Sequence, residues 1–258
     1  MWRSKNSYRI AMLQVDVPKG LEFVVKAKCP DSLKTVLAHR STRSSDISRA
    51  FYLTCASSSS LFAIFMESGL IRPFMTRQGI IVAAKHNNVK VIQDAVEKFG
   101  FNCRATFEKA LAISAERGYA ESISCLKQVL SPNEPIANPQ LLQYATSSGH
   151  EAVVTELIQD GHDVNVWKGT ALLMACTDSE WDIVDELLEA GAVPQVSLGG
   201  WDKAFTNAVC SGHLLVTQLC LRAGVSPGLI RPHMVRYLRR CGFFDIIREL
   251  HLHHSPMS

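Results

Sequence analysis

Apolar residues recur along this chain at spacings of three and four, in short blocks separated by small polar breaks. The clearest block is GTALLMACTDSEWDIVDELLEAGAVPQ, residues 169–195. It holds a short apolar segment, a break at Asp178-Ser179, a second amphipathic segment and a glycine at 191. Spacings of three and four put these apolar residues on one helical face, so the block predicts two consecutive helices. The same layout starts at Gln143 and at Thr206, and weaker copies start at Ile80 and Leu111.

The break serves as a ruler. It falls at Asn87, Gly118, Gly149, Ser179, Gly212 and Gly242, in steps of 31, 31, 30, 33 and 30 residues. Looser copies upstream place breaks near Ser58 and Cys29, giving up to eight helix pairs. Around the breaks the columns agree. Small residues recur before them at Ala83, Ser114, Ala145, Ala175 and Ala208, with large apolar residues three positions earlier at Ile80, Leu111, Leu142, Leu172 and Phe205. Val91, Ser122, Val153, Ile183, Val216 and Ile246 follow the breaks by four. A single pair cannot bury such a face, so neighbouring pairs must stack to complete the core.

These residues resemble the ankyrin-repeat family, whose unit of about 33 residues is two antiparallel helices and a turn. Ser148-Gly149-His150-Glu151-Ala152-Val153-Val154 and Ser211-Gly212-His213 are similar to the family's G-H-x-x-V-V stretch, and Gly161-His162-Asp163-Val164-Asn165 to its G-A-D-V-N turn. Thr170-Ala171-Leu172-Leu173 is the nearest to its T-P-L-H motif. The resemblance covers residues 80–250 well and 21–79 poorly. It implies an all-α, ankyrin-type solenoid of about seven to eight stacked helix-turn-helix repeats over residues 21–250. An N-terminal extension, 1–20, and a His-rich C-terminal tail, 251–258, would flank it. Pro73, Pro132, Pro135, Pro139, Pro194, Pro227 and Pro232 all fall between expected helix pairs, where proline breaks no helical hydrogen bond. The segment 131–140 reads as a stiff spacer.

Composition sets the setting. Apolar residues make up 47% of the 258, enough for a continuous core, and the net charge of +3 does not point to nucleic acid. Eight cysteines without a CxxC pair read as free thiols in a reducing, cytoplasmic or nuclear compartment. The basic N-terminal stretch does not read as a signal peptide, and no apolar run is long enough for a membrane span.

Catalytic motifs are scarce: neither a nucleophile elbow nor a phosphate-binding loop occurs. His150-Glu151 starts like a zinc-protease motif, but Val154 stands where the second histidine belongs. No metal site and no cofactor is expected. The predicted function is a non-catalytic interaction module that binds a protein partner through its concave face and inter-repeat turns. Trp167 and Trp201, in turns, are its candidate anchors, because aromatic residues on projecting turns are favoured in interfaces. Tyr144, His86, Glu116, Arg117, Asn207 and Tyr237 are candidates on the exposed columns of the first helices. The alternative is an enzyme or small-ligand binder that has adapted the groove around His86, Glu116, Arg117 and Tyr144.

Charge is uneven along the chain. Residues 1–50 carry ten Lys/Arg and four Asp/Glu, whereas residues 151–200 carry one Lys and ten Asp/Glu. The acidic stretch interrupts any continuous basic stripe, which argues against a nucleic-acid partner.

Overall fold

The computed structural model describes residues 17–38, 43–100, 102–130, 138–195 and 199–254. Most of the expected N-terminal extension, the core of the 131–140 spacer and the last four residues of the expected tail lie outside them. The described residues are all-helical. The chain divides into two compact units, residues 1–114 with 119–134, and residues 115–118 with 135–258.

The first eight helices are α1 (Val17–Lys26), α2 (Pro30–Leu37), α3 (Ser44–Ser57), α4 (Ser59–Glu67), α5 (Pro73–Lys85), α6 (Val89–Glu97), α7 (Arg104–Glu116) and α8 (Ala120–Leu130). In the first unit, α1 packs on α2, α3 on α4 and α5 on α6. The first members of these pairs also pack on one another, α1 on α3 and α3 on α5; the second members run α2, α4, α6, α8. Prolines sit at the starts of α2 and α5, where the missing N–H would be unpaired in any case.

The second eight are α9 (Gln140–Ser147), α10 (Glu151–Gln159), α11 (Val166–Asp178), α12 (Trp181–Glu189), α13 (Trp201–Ser211), α14 (Leu214–Arg222), α15 (Pro232–Cys241) and α16 (Phe244–His254). In the second unit the pairs are α9–α10, α11–α12, α13–α14 and α15–α16. The first helices stack in the order α9, α11, α13, α15. Helix α16 runs to His254, into the segment that the sequence reads as a tail.

Each of the six clear pairs is closed by the same local device. The break residue adopts the left-handed conformation, with φ of 52° at Asn87, 75° at Gly118, 70° at Gly149, 65° at Ser179, 83° at Gly212 and 81° at Gly242. The N–H of the following residue then donates to the carbonyl four positions before the break. These bonds are Asn88 to Ala83 at 2.9 Å, Tyr119 to Ser114 at 2.9 Å and His150 to Ala145 at 3.0 Å. Glu180 to Ala175 at 3.0 Å, His213 to Ala208 at 2.9 Å and Phe243 to Leu238 at 3.0 Å complete the series. This is the Schellman closure, which satisfies carbonyls that the helix end leaves unpaired. The small-residue column read from sequence is therefore the column of carbonyls that accept these bonds, and Ala83, Ser114, Ala145, Ala175 and Ala208 are all buried.

Polar side chains also reach carbonyls near the ends of earlier helices. Asn88 Nδ2 donates to the Cys55 carbonyl at 2.9 Å. His150 Nε2 lies 3.0 Å from the Glu116 carbonyl, and Asn207 Nδ2 donates to the Thr177 carbonyl at 2.7 Å. Each supplies a partner for a carbonyl in the last turn of an earlier first helix.

The first unit compensates for its weak repeat pattern with an aromatic core. Phe51, Phe62 and Phe65 are fully buried, and the Phe51 ring centre lies 5.7 Å from each of the other two. Gly79, inside α5, makes room for this cluster. A Cβ there would stand 2.8 Å from both Phe51 and Cys55 Sγ. Gly79→Ala should therefore destabilise the protein by about 1–3 kcal/mol, although alanine is the better helix former. Ser179→Gly should do the opposite. It replaces a left-handed serine with the residue suited to that conformation, so stability should rise by about 1 kcal/mol. Urea unfolding of the two variants, followed by circular dichroism, checks both signs.

Candidate protein-binding surface

The two tryptophans expected in turns have opposite fates. Trp201 is 1% exposed and opens α13, with its indole N–H donating to the Gln195 carbonyl at 3.0 Å. Left-handed Gly199 and Gly200 bring the chain round, so that the ring enters the core at the first helical position. Its expected role as a surface anchor is corrected: it is a packing residue.

Trp167 is 58% exposed. It lies in a left-handed run within the first turn of α11, with φ of 54° at Trp167, 60° at Lys168 and 71° at Gly169. For residues bearing a Cβ this conformation costs about 1–2 kcal/mol each. Several bonds hold it. Gly169 N–H donates to the Asn165 carbonyl at 3.1 Å, and Thr170 Oγ1 donates to the Trp167 carbonyl at 2.6 Å.

Asn165 joins this turn to the next one. Its Oδ1 accepts the Val193 N–H at 2.9 Å and its Nδ2 donates to the Gly191 carbonyl at 3.0 Å. Asp163 Oδ1 accepts the Asn165 N–H at 2.9 Å, which shapes the turn from below. The two turns approach so closely that a Cβ at Gly169 would stand 2.9 Å from the Val193 carbonyl oxygen. Val193 is itself 52% exposed, so two apolar side chains sit on adjoining, mutually pinned turns. Sequence reasoning misses both Val193 and Asn165 as site residues. The available signal is the asparagine of the Asp163-Val164-Asn165 turn, a residue type whose amide readily bonds nearby backbone.

The other expected residues are placed as follows. Tyr144 is half-buried, and its hydroxyl bonds Gln140 Oε1 at 3.3 Å within its own helix. Glu116 and Arg117 are exposed where α7 ends, and His86 is exposed where α5 ends. Asn207 is half-buried, with its amide committed to Thr177 as described above. Tyr237 is exposed on α15, and its hydrogen bond with the Cys241 thiol holds the phenol above its ordinary range. His213, the histidine of the second Gly-His motif, stacks on Trp181 with ring centres 4.8 Å apart and pairs with Asp185 at 3.1 Å.

An open depression of about 320 Å³ in the first unit is lined by Lys34, Leu37, Ala38, Ile64, Glu67, Ser68 and Leu70. Its lining includes none of His86, Glu116, Arg117 and Tyr144, the residues of the enzyme-or-ligand alternative. No helix among the described residues is long and apolar enough to cross a membrane.

The thiols differ in character. Burial pushes Cys55 and Cys176 strongly upward and Cys220 up to about 12. Cys103, just before α7, is lowered instead. The Thr106 hydroxyl, 3.2 Å from its sulfur, contributes most, followed by the Thr106 N–H, Arg77 and the Ala105 N–H. A lowered thiol holds more thiolate at neutral pH. Iodoacetamide at pH ~7.5 should therefore label Cys103 faster than Cys125 or Cys210, both raised by burial. That advantage should shrink as pH rises through the range where all three ionise, which peptide mapping of labelled protein measures.

No family model matches the chain. A Caenorhabditis elegans protein described as "Ankyrin repeat and KH domain-containing protein mask-1" is 26% identical over 154 residues. The matched part is 57% of this chain but only 6% of the length of that relative.

Proposed function

We propose that this chain is an ankyrin-type repeat array that holds a protein partner through the exposed face of its first helices and its inter-repeat turns. The observation that carries this reading is the recurrence of one closure. Six helix pairs end on a left-handed residue in steps of 30 to 33, each sealed by the same bond to a buried residue four positions earlier. Similarity to a protein whose name includes ankyrin repeats supports the same reading.

Binding follows from rigidity. Stacked pairs hold their turns in fixed positions, so little conformational freedom is lost when a partner docks. Trp167 and Tyr144 offer aromatic area in the second unit, and Tyr237 adds more on α15. Aromatic residues of this kind dominate interface energetics when a partner covers them.

Affinity capture with quantitative mass spectrometry tests the proposal. Wild-type protein should retain at least one protein in near-stoichiometric amount. The Trp167→Ala/Tyr144→Ala double variant should retain less than about a tenth of it while keeping its helical circular dichroism. Capture unchanged in the folded double variant would remove this surface, and recovery of a small molecule alone would overturn the interaction role.

A further inference from the structure

We propose that Trp167 and Val193 form a two-point docking epitope for a basic protein segment, one with an apolar side chain flanked by Lys or Arg. This rests on the interaction-module reading and assigns the kind of partner that it would take.

Three observations converge. First, the two side chains are exposed on separate turns, yet the turns are locked together. Asn165 spans them with two hydrogen bonds, at 2.9 Å to Val193 and 3.0 Å to Gly191. The apolar pair is thus presented at fixed spacing rather than by two independent loops. Second, the indole remains outside although its backbone is left-handed, whereas the tryptophan that opens α13 is fully buried. Full burial of an aromatic side chain removes about 150–250 Å² from water, and the 58% of Trp167 still exposed leaves more than half of its surface for a partner to cover.

Third, charge selects the segment. Residues 151–200 hold ten Asp/Glu and one Lys. Exposed Asp163 lies four positions before Trp167 in the same turn. Exposed Glu189 lies two positions before Gly191, the residue that Asn165 binds in the neighbouring turn. Lys168, beside Trp167, is the single Lys or Arg of the stretch, which leaves residues 151–200 with nine more acidic than basic side chains. A segment with acidic flanks would be repelled, and one with basic flanks steered in. The apolar contact supplies the anchor and the acidic surroundings supply the choice.

The test uses full-length protein and immobilised peptides of about nine residues with a fixed central Leu or Phe. Their flanks are drawn from Lys/Arg, from Asp/Glu or from Ser/Gly. In about 50 mM salt the wild type should enrich the basic-flanked set by roughly tenfold or more over the acidic one. Raising salt to about 500 mM should reduce that preference severalfold. W167A and V193S should each bring enrichment below about threefold, and W167F should recover part of it. E189K should weaken basic-flanked binding by about threefold or more with its helical signal intact. Asp163 is left unchanged because its carboxylate shapes the turn.

Preference for neutral or acidic flanks would overturn the proposal. So would a basic preference that is unchanged in folded W167A, since that would be diffuse charge attraction rather than an epitope. If W167A fails to fold, V193S and E189K decide the question. Partner capture that survives W167A and V193S together would overturn this epitope alone and leave the interaction-module reading standing.

Discussion

One constraint organises this chain: two short helices must reverse direction within a few residues while leaving no buried carbonyl unpaired. A left-handed break residue solves the reversal, and the N–H that follows it closes on the carbonyl four positions before the break. In five of the six clear pairs that carbonyl lies on a small buried residue. Leu238 takes the place in the sixth, the last pair among the described residues. Gly212 shows how little room remains at the break itself. Its φ is 83°, and a Cβ there would stand 2.6 Å from the Phe243 ring of the following pair. Reversal, closure and stacking are therefore one requirement, met at one place in each pair.

This is why the array is legible in sequence. Four of the six clear breaks are glycine and one is asparagine, the residue types that take the left-handed conformation most readily. Their regular steps and the small buried column both follow from the closure. Ser179 is left-handed without either advantage, and only its place in the register marks it. The N-terminal quarter keeps the closure at Lys28, where φ is 52° and the Cys29 N–H donates to the Val24 carbonyl at 3.2 Å, but loses it at the next break. At Ser58 the chain is extended, with φ of −155°, so that break lacks the shared signature. Its core rests on Phe51, Phe62 and Phe65, and on a glycine at 79 that is small for a packing reason and not for a turn. Pattern reading detects recurrence, and a local aromatic cluster does not recur.

The surface is less legible than the fold. Trp167 and Trp201 both stand at the start of helical segments and both follow turn residues, so sequence gives them the same expectation. The backbone separates them. Trp201 follows two left-handed glycines and starts a regular helix facing inward. Trp167 is itself left-handed and stays in solvent. Such a difference depends on which residues in a turn absorb the reversal, and that is set by contacts with the neighbouring turn. Asn165 makes those contacts with Gly191 and Val193, 26 and 28 residues away.

Several polar side chains in this protein are committed to holding one helix to another. Asn88, His150 and Asn207 place their nitrogens at carbonyls of an earlier helix, so those atoms are already committed. Withdrawing one to meet a partner would leave a carbonyl at a helix end without its bond, a loss of about 1–3 kcal/mol where that group is buried. Recognition is cheaper where the displayed atoms hold nothing together. Trp167 meets that condition through its ring, because the turn beneath it is secured by the backbone and by Asn165. Asn165 in turn spends its amide wholly on the neighbouring turn. Display at Trp167 and fixation at Asn165 are two halves of one arrangement: the Trp167 carbonyl helps to hold the turn through Thr170, while its ring stays exposed and the link to the neighbouring turn falls to Asn165.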